Sequence, residues 1–231
     1  FFWGNGYTLN DINGMSEFIL LGGTPIAYHG IYATQSYLYT RNDGTGFSTA
    51  PSSQFGNGFA SFRIDGTCDT VWAGHRFQKN VRTTAVAPNK LIVSPGGSIS
   101  GGQGILIWSL NYDVENSGVI TGSTAGKFGL ADTADIALLF KGDTSGTWGT
   151  PITAGVNRLT NTGTIASPGT AVLAEAGDTI VTNNAGGLIS GGRCAIQTGP
   201  GADTIVVNGG RIEGGEYAIR TGAGNDTVTI F

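Results

Sequence analysis

The chain has 231 residues, of which 40 are glycine, and only 12% of its residues are charged. Apolar residues make up 39% of the chain, which excludes generic disorder, and the glycines follow no three-residue step, which excludes collagen. The net charge of −4 argues against a nucleic-acid surface, which needs a basic stripe. Aliphatic or aromatic runs such as Phe18–Leu21 are far too short to cross a bilayer, so no membrane-spanning segment is predicted.

The N-terminal part of the chain is rich in aromatic residues. Residues 1–90 hold 15 of the 22 aromatic side chains, and residues 87–90 supply the Pro and Asn that are typical of a boundary. Since Gly, Thr, Asn and β-branched residues dominate throughout, we predict an all-β protein. We interpret residues 1–90 as an aromatic-rich β region that forms a cap or extra coils. The chain begins at Phe1 without Met or a leader, so we expect a mature or excised piece.

The C-terminal part, residues 91–231, contains a repeat with an isoleucine in each period. Ile165, Ile189 and Ile212 are 24 and 23 residues apart, and Ile99 and Ile120 are 21 residues apart. The step from Ile120 to Ile165 is 45 residues, close to two periods with an insertion, which we place around residues 121–158.

Each period carries two more apolar positions after the isoleucine. One set is Val172, Ile196 and Ile219, and the other is Ile180, Ile205 and Val228, each behind an Asp-Thr pair. Three short apolar segments per period, separated by Gly, Asn, Asp or Ser turns, predict three strands and three corners. The predicted fold is therefore a parallel β-helix (β-solenoid) of about 23 residues per coil, with coils about 4.8 Å apart and like residues stacked in ladders.

Three aspartates precede the third strand of successive coils. The segments 199–205 and 222–228 each resemble one unit of the calcium-binding nonapeptide GGxGxDxUx, and 175–180 is a looser version. If the register holds, Asp178, Asp203 and Asp226 stack on one edge, where carboxylates bind a hard cation such as Ca²⁺. The alternative is that each aspartate bonds backbone N–H groups in its own turn.

A carbohydrate-active β-helix, such as a polysaccharide lyase, hydrolase or tailspike, is the rival interpretation. Glycoside hydrolysis needs two carboxyl groups roughly 5 to 10 Å apart. Asp132 and Asp135 are the candidates near the insertion, with Trp108, Tyr112 and Trp148 as sugar platforms. The other explanation is that these are solvated turn acids beside loop aromatics.

A glycan-binding adhesin fragment is a second rival. Its binding patch is the aromatic cluster between residues 28 and 62, although such clusters also pack cores. The only two cysteines, Cys68 and Cys194, are far apart in sequence, and their pairing stays open.

The two ends of a β-helix present unpaired strand edges, which template further pairing unless they are capped. The C-terminal run Val228, Ile230 and Phe231 is strand-like and stops within the repeat, while the start of the chain, Phe1, Phe2 and Trp3, is very apolar. We therefore expect head-to-tail stacking of copies into a homopolymer, through a heterologous contact.

Motifs such as Asn161-Thr-Gly-Thr-Ile165 and Ile189-Ser-Gly-Gly192 resemble the passenger β-helices of bacterial autotransporters and related haemagglutinin-type adhesins. The resemblance covers roughly residues 93–231 and implies a secreted or bacterial cell-surface protein with an elongated, non-catalytic role. We expect an extracellular structural protein that self-associates end to end into a filament or surface assembly, with calcium as a possible cofactor and with glycans or a cell surface as possible partners.

Overall fold

The structure is a computed structural model. It describes residues 2–3, 7–9, 17–20, 31–33, 61–64, 67–68, 71–73, 89–107, 110, 112–124, 135–142 and 154–231. Every described element is a β-strand, so the all-β prediction is confirmed. No helix long and apolar enough to cross a membrane occurs among these residues.

The strands are short and recur along the whole described chain. In chain order they are β1 (Phe2–Trp3), β2 (Tyr7–Leu9), β3 (Glu17–Leu20), β4 (Ile31–Ala33), β5 (Ser61–Ile64), β6 (Thr67–Cys68), β7 (Val71–Ala73), β8 (Asn89–Val93), β9 (Ser98–Gly101), β10 (Gln103–Ile107), β11 (Tyr112–Asn116) and β12 (Val119–Gly122). They continue as β13 (Ile136–Phe140), β14 (Val156–Asn161), β15 (Thr164–Ser167), β16 (Thr170–Ala174), β17 (Asp178–Asn184), β18 (Leu188–Gly191), β19 (Cys194–Gln197), β20 (Thr204–Asn208), β21 (Arg211–Gly214), β22 (Tyr217–Arg220) and β23 (Thr227–Ile230).

These strands form three sheets, which we call A, B and C. Sheet A has the order β1-β2-β3-β5-β8-β11-β14-β17-β20-β23, sheet B the order β22-β19-β16-β13-β10-β7-β4, and sheet C the order β21-β18-β15-β12-β9-β6. From β5 to β22 the chain visits sheets A, C and B in turn, and each strand pairs in parallel with its counterpart in the next coil. The molecule is therefore a β-solenoid, as predicted.

The predicted isoleucine ladder lies in the interior. Pairing joins Ile99 to Ile120, Ile120 to Ile165, Ile165 to Ile189 and Ile189 to Ile212. The first four side chains are fully buried, and Ile212 in the last coil is partly buried. A second ladder, Val172, Ile196 and Ile219, stacks as expected in sheet B. Apolar ladders facing a common interior thus supply the core of the coils between Leu91 and Val207.

The 45-residue step from Ile120 to Ile165 differs from the prediction, because it is one coil and not two. Ile120 pairs directly with Ile165, and Val114 pairs directly with Leu159. The extra residues lengthen the connections on either side of β13 and add no rung. Spacing alone did not distinguish the two arrangements, since 45 is close to twice the period.

The sheets also run through the predicted boundary at residue 90. β5 pairs in parallel with β8 in sheet A, and β6 pairs with β9 in sheet C. The hairpin β1–β2 is antiparallel, as is the pair β2–β3. Solenoid-type pairing therefore begins before residue 90, and at that end sheet A carries an antiparallel addition.

Buried asparagines form a polar ladder at the corner between sheets A and C. Nδ2 of Asn116 donates to Oδ1 of Asn161 at 2.8 Å, and Nδ2 of Asn161 donates to Oδ1 of Asn183 at 2.8 Å. All three side chains are at most 1% exposed. Gly187 lies against this ladder, where a Cβ atom would come within 2.4 Å of Asn183 Oδ1. The corner therefore requires a glycine there.

Candidate functional site: the aspartate corner and the free sheet edges

The three aspartates lie at the corner where the chain passes from sheet B into sheet A. The pairing of Thr204 with Thr227 places Asp226 opposite Asp203, as predicted. The pairing of Ile180 with Thr204, however, places Thr179 opposite Asp203, so Asp178 is one residue out of register. The prediction that all three aspartates stack is therefore wrong for Asp178.

The physical reason is that Ile180 and Val181 are adjacent and both apolar. The internal repeat in the sequence places Ile180 opposite Ile205. In the structure, Val181 is the residue that pairs with Ile205, and its side chain is fully buried. A shift of one residue exchanges the two faces of a strand. Asp178 consequently lies level with the backbone of Ala202 and not with the side chain of Asp203.

Each carboxylate accepts a backbone N–H from a neighbouring coil. Asp203 Oδ1 accepts from Thr179 N at 2.8 Å, and Asp226 Oδ1 accepts from Asp203 N at 3.1 Å. Asp178 Oδ1 accepts from Ala202 N at 2.8 Å. The alternative interpretation is that each aspartate bonds backbone N–H groups in its own turn. The observed bonds instead run between neighbouring coils. These aspartates hold the corner together.

The same position is occupied by an amide earlier in the solenoid. Asn157 pairs with Thr179, and its Oδ1 accepts the backbone N–H of Tyr112 at 3.1 Å. Asn157 and Asp203 are both at most 1% exposed. A carboxamide in one coil and a carboxyl group in another therefore accept equivalent backbone hydrogen bonds.

Burial makes Asp203 electrostatically unusual. Loss of hydration raises the pKa of its carboxyl group above the ordinary value. The Thr198 hydroxyl and the Thr179 N–H lower this pKa, while the charges of Asp226 and Asp178 raise it further. Oδ2 of Asp203 and Oγ1 of Thr198 are both buried, and the two oxygens are near enough to interact but are not aligned in a good hydrogen bond. The corner thus holds an incompletely paired buried carboxyl group.

The oxygens of the three aspartates are partly engaged by the protein itself. Within the described parts of the chain, no three His, Cys, Asp or Glu side chains come together in a group that fits a metal ion. One oxygen of each aspartate is already engaged by a backbone N–H. Calcium binding by Asp178, Asp203 and Asp226 stays a prediction.

The candidate self-association residues lie at opposite edges of sheet A. Phe2 and Trp3 form β1, the first strand in the order of sheet A, and Phe1 lies outside the described residues. At the other edge, in and just after β23, Val228 is 45%, Ile230 71% and Phe231 79% exposed. Apolar side chains and an open strand edge therefore coincide at this end.

The described structure places two of the five residues of the carbohydrate-active hypothesis, Tyr112 and Asp135. Tyr112 is 5% exposed and packs in the interior cluster, so it offers no platform to a sugar. Asp135 adopts a positive φ of 67° at the start of β13, and its backbone oxygen accepts the Ser167 hydroxyl. Asp132, Trp108 and Trp148 lie outside the described residues.

The cysteines are too far apart to pair within one molecule. Cys68 lies in β6 of sheet C and Cys194 in β19 of sheet B, four coils further along. Four coils span about 19 Å, whereas a disulfide needs Cα atoms within about 7 Å. Cys194 is a free thiol at 1% exposure, and burial raises its pKa.

The predicted aromatic patch between residues 28 and 62 lies mostly outside the described residues, and no side-chain position is described for its members in β4 and β5. The asparagine ladder, by contrast, is a structural element that the sequence analysis missed. Its signal was an Asn two residues before Gly in Asn116-Ser-Gly118 and Asn161-Thr-Gly163.

Comparison with known proteins adds no family. A scan against protein-family models gave no match, and neither curated proteins nor solved structures gave one.

Proposed function

We propose that this protein is a non-catalytic structural β-solenoid whose copies join end to end into a filament or surface assembly. The observation that carries the proposal is the uniform stack of coils, in which the buried isoleucines Ile99, Ile120, Ile165 and Ile189 each pair with their equivalent in the next coil. Such a stack accepts any further strand of the same spacing, because each coil contacts only its neighbours. Val228 continues the ladder of Ile205 and is 45% exposed, and we call the exposed side of this last described coil the end face.

The energetics favour covering this end face. Burying an exposed Val or Ile side chain is worth roughly 1.5–3 kcal/mol, and Ile212, Ile219 and Val228 are all incompletely buried. A further coil of the same design would bury all three ladders at once. A second copy of the chain presents strands of the same spacing, which supports it as the covering partner.

The edge strand also lacks the usual protection against pairing. Exposed edges are commonly blunted by Lys, Pro or a bulge, and β23 (Thr227–Ile230) contains neither Lys nor Pro. Its four residues alternate between threonine and an aliphatic side chain, a pattern that favours strand addition. This edge is suited to accept another strand.

The extracellular bacterial setting belongs to the same proposal. It is supported by the resemblance to autotransporter and haemagglutinin-type passenger β-helices given above, and by the low charge of the chain. In such a setting the solenoid serves as a stiff spacer or surface layer. An adhesive role toward glycans belongs to the proposal as well.

The test is negative-stain electron microscopy combined with sedimentation over a hundredfold range of concentration. We expect wild-type protein to form rods that lengthen with concentration, and Val228→Lys to remain short because it places a charge on the end face. Val119→Lys is the matched control, because Val119 is similarly exposed, at 40%, but lies within sheet C away from the end. A wild-type protein that stays monomeric at the highest concentration overturns the proposal.

A further inference from the structure

Four polar side chains at the corner between sheets B and A each bury one atom that lacks an aligned hydrogen bond within the protein. The four atoms are Nδ2 of Asn157, Oγ1 of Thr179, Oγ1 of Thr198 and Oδ2 of Asp203, and among the described residues only Oδ1 of Asp135 shares this condition. Their side chains are at most 4% exposed. Because buried polar groups in proteins are nearly always hydrogen-bonded, this concentration at one corner points to a shared partner.

Three of these side chains follow one another in a single inward-facing ladder. Asn157 pairs with Thr179, and the N–H of Thr179 donates to Oδ1 of Asp203 in the next coil at 2.8 Å. Thr198 lies close enough to the Asp203 carboxyl group to lower its pKa. The four atoms therefore lie along one strip of the interior that runs parallel to the solenoid axis through three coils.

Asn157 and Asp203 occupy equivalent positions two coils apart but differ in hydrogen-bonding character. Oδ1 of each accepts a backbone N–H, from Tyr112 and from Thr179 respectively. The remaining atom is a donor, Nδ2, in Asn157 and an acceptor, Oδ2, in the ionised form of Asp203. A metal cation binds oxygen lone pairs and offers nothing to an N–H donor, whereas a water molecule accepts from the one and donates to the other.

The spacing of the coils favours a bridging water over a direct bond along this ladder. Equivalent groups in neighbouring coils are about 4.8 Å apart, which exceeds the reach of a direct hydrogen bond. A water bonded at about 2.8 Å to two groups at this separation subtends an angle of about 118°, close to tetrahedral. The ladder of Asn116, Asn161 and Asn183 bonds directly at 2.8 Å, because long amide side chains span the gap that the shorter Thr179 leaves open.

We propose that a file of ordered water molecules lines the inside of this corner and bridges Asn157 to Thr179 and Thr179 to Asp203. Nδ2 of Asn157 donates to the first water, which donates to the Thr179 hydroxyl. That hydroxyl donates to the second water, which donates to Oδ2 of Asp203 and to the Thr198 hydroxyl. Each of the four atoms gains a partner, and the site is specific for a small ligand that both donates and accepts. This inference is independent of the proposed end-to-end association.

The test counts long-lived internal waters by oxygen-17 magnetic relaxation dispersion and locates them in a crystal structure of the wild-type protein. Thr179→Val keeps the shape of the side chain and removes the hydroxyl that joins the two bridges, so we expect it to lose at least one long-lived water. Thr182→Val is the matched control, because Thr182 lies in the same strand, β17, but on its partly exposed outer face. We expect Thr182→Val to keep the wild-type count. Asp203→Asn should keep it as well, since its amide donates to the second water as Asn157 donates to the first.

Each outcome either supports the water file or overturns it. A water within hydrogen-bond distance of both Thr179 Oγ1 and Asp203 Oδ2, lost from Thr179→Val and retained in the other two variants, supports it. The inference is wrong if the crystal structure shows the Thr179 hydroxyl bonded directly to Oδ2 of Asp203, or a metal cation on that oxygen. If Thr179→Val does not fold, the structures of wild type and of Asp203→Asn decide, and a wild-type corner without water overturns the inference.

Discussion

The backbone N–H of Thr179 donates to Oδ1 of Asp203, in the next coil, at 2.8 Å. This bond joins two coils at the corner between sheets B and A, where the chain passes from one sheet to the next. The aspartates that resemble calcium-binding turns in the sequence therefore have a structural role, because they join neighbouring coils.

Replacing Asp203 by Asn should stabilise the C-terminal coils at neutral pH. The pKa of Asp203 is raised in the folded state, so the folded protein binds the proton more tightly than the unfolded chain. Ionisation therefore weakens the fold as the pH rises from the unfolded pKa, about 3.9, through the folded value. Asn keeps the acceptor for Thr179 and removes the charge, as Asn157 does naturally. Amide exchange of Thr179 at pH 4 and pH 7 measures the effect.

The increase in stability caused by Asp203→Asn should be largest at pH 7 and should vanish near pH 4. Asp203→Ala removes the acceptor and should destabilise at both values. A greater loss of Thr179 protection in Asp203→Asn at pH 7 than at pH 4 contradicts this account.

Removing one rung of the asparagine ladder should destabilise the solenoid strongly. Asn161→Ala leaves Asn183 Oδ1 without its donor, and such a buried unsatisfied group costs about 1–3 kcal/mol. It also removes the 2.8 Å bond from Asn116 Nδ2, which keeps only longer bonds to the carbonyls of Gly118 and Thr164. Asn208→Ala is the control, because its bond to Asn184 is exposed to solvent. Urea unfolding should show a midpoint clearly lowered for Asn161→Ala and nearly unchanged for Asn208→Ala. Equal midpoints would show that the ladder contributes little.

Truncation of an interior isoleucine should cost far more than truncation at the end. Ile165 is fully buried and Ile230 is 71% exposed. Ile165→Ala should lower the free energy of unfolding by about 2–5 kcal/mol, while Ile230→Ala should change it by less than about 0.5 kcal/mol. Both are read from thermal unfolding of dilute, unassembled protein. A large loss for Ile230→Ala in monomeric protein counts against an open end face.

Calcium binding at the aspartate corner predicts a ligand-dependent rise in thermal stability. A ligand at one hundred times its Kd stabilises by about 2.7 kcal/mol, and Asp226→Asn should abolish most of that rise. Asp178→Asn should have a smaller effect, because Asp178 is out of register with Asp203. Asp113→Asn, away from the corner, is the control. Identical midpoints in calcium and in chelator refute the calcium prediction.

A non-catalytic role predicts that a panel of polysaccharides is left intact. Wild-type protein should release neither reducing ends nor unsaturated products, and Asp135→Asn and Asp132→Asn should behave identically to it. Cleavage by wild type that disappears in either variant establishes the carbohydrate-active alternative.

Periodicity was enough to predict the fold. Isoleucines 23 or 24 residues apart, separated by glycine-rich turns, predict stacked parallel strands because only a solenoid lets each residue pack on its equivalent one coil away. The ladder from Ile99 to Ile212 confirms this. The position of Val228 in sheet A also follows from a chain that advances one coil at a time along an axis, whereas Phe2 and Trp3 lie in an antiparallel hairpin that the periodicity does not predict.

Tertiary structure alone decided the register and the polar pairing. Ile180 and Val181 are both apolar, so the pairing with neighbouring coils selects which of the two side chains faces inward. The same choice fixes the position of Asp178. The step from Ile120 to Ile165 became one coil because β12 pairs directly with β15. The asparagine ladder and the Thr179–Asp203 bond join residues 22 to 45 positions apart. Such bonds depend on which side chains lie next to each other once the coils are stacked. The local sequence gives the residue types, but it does not give the alignment of one coil with the next.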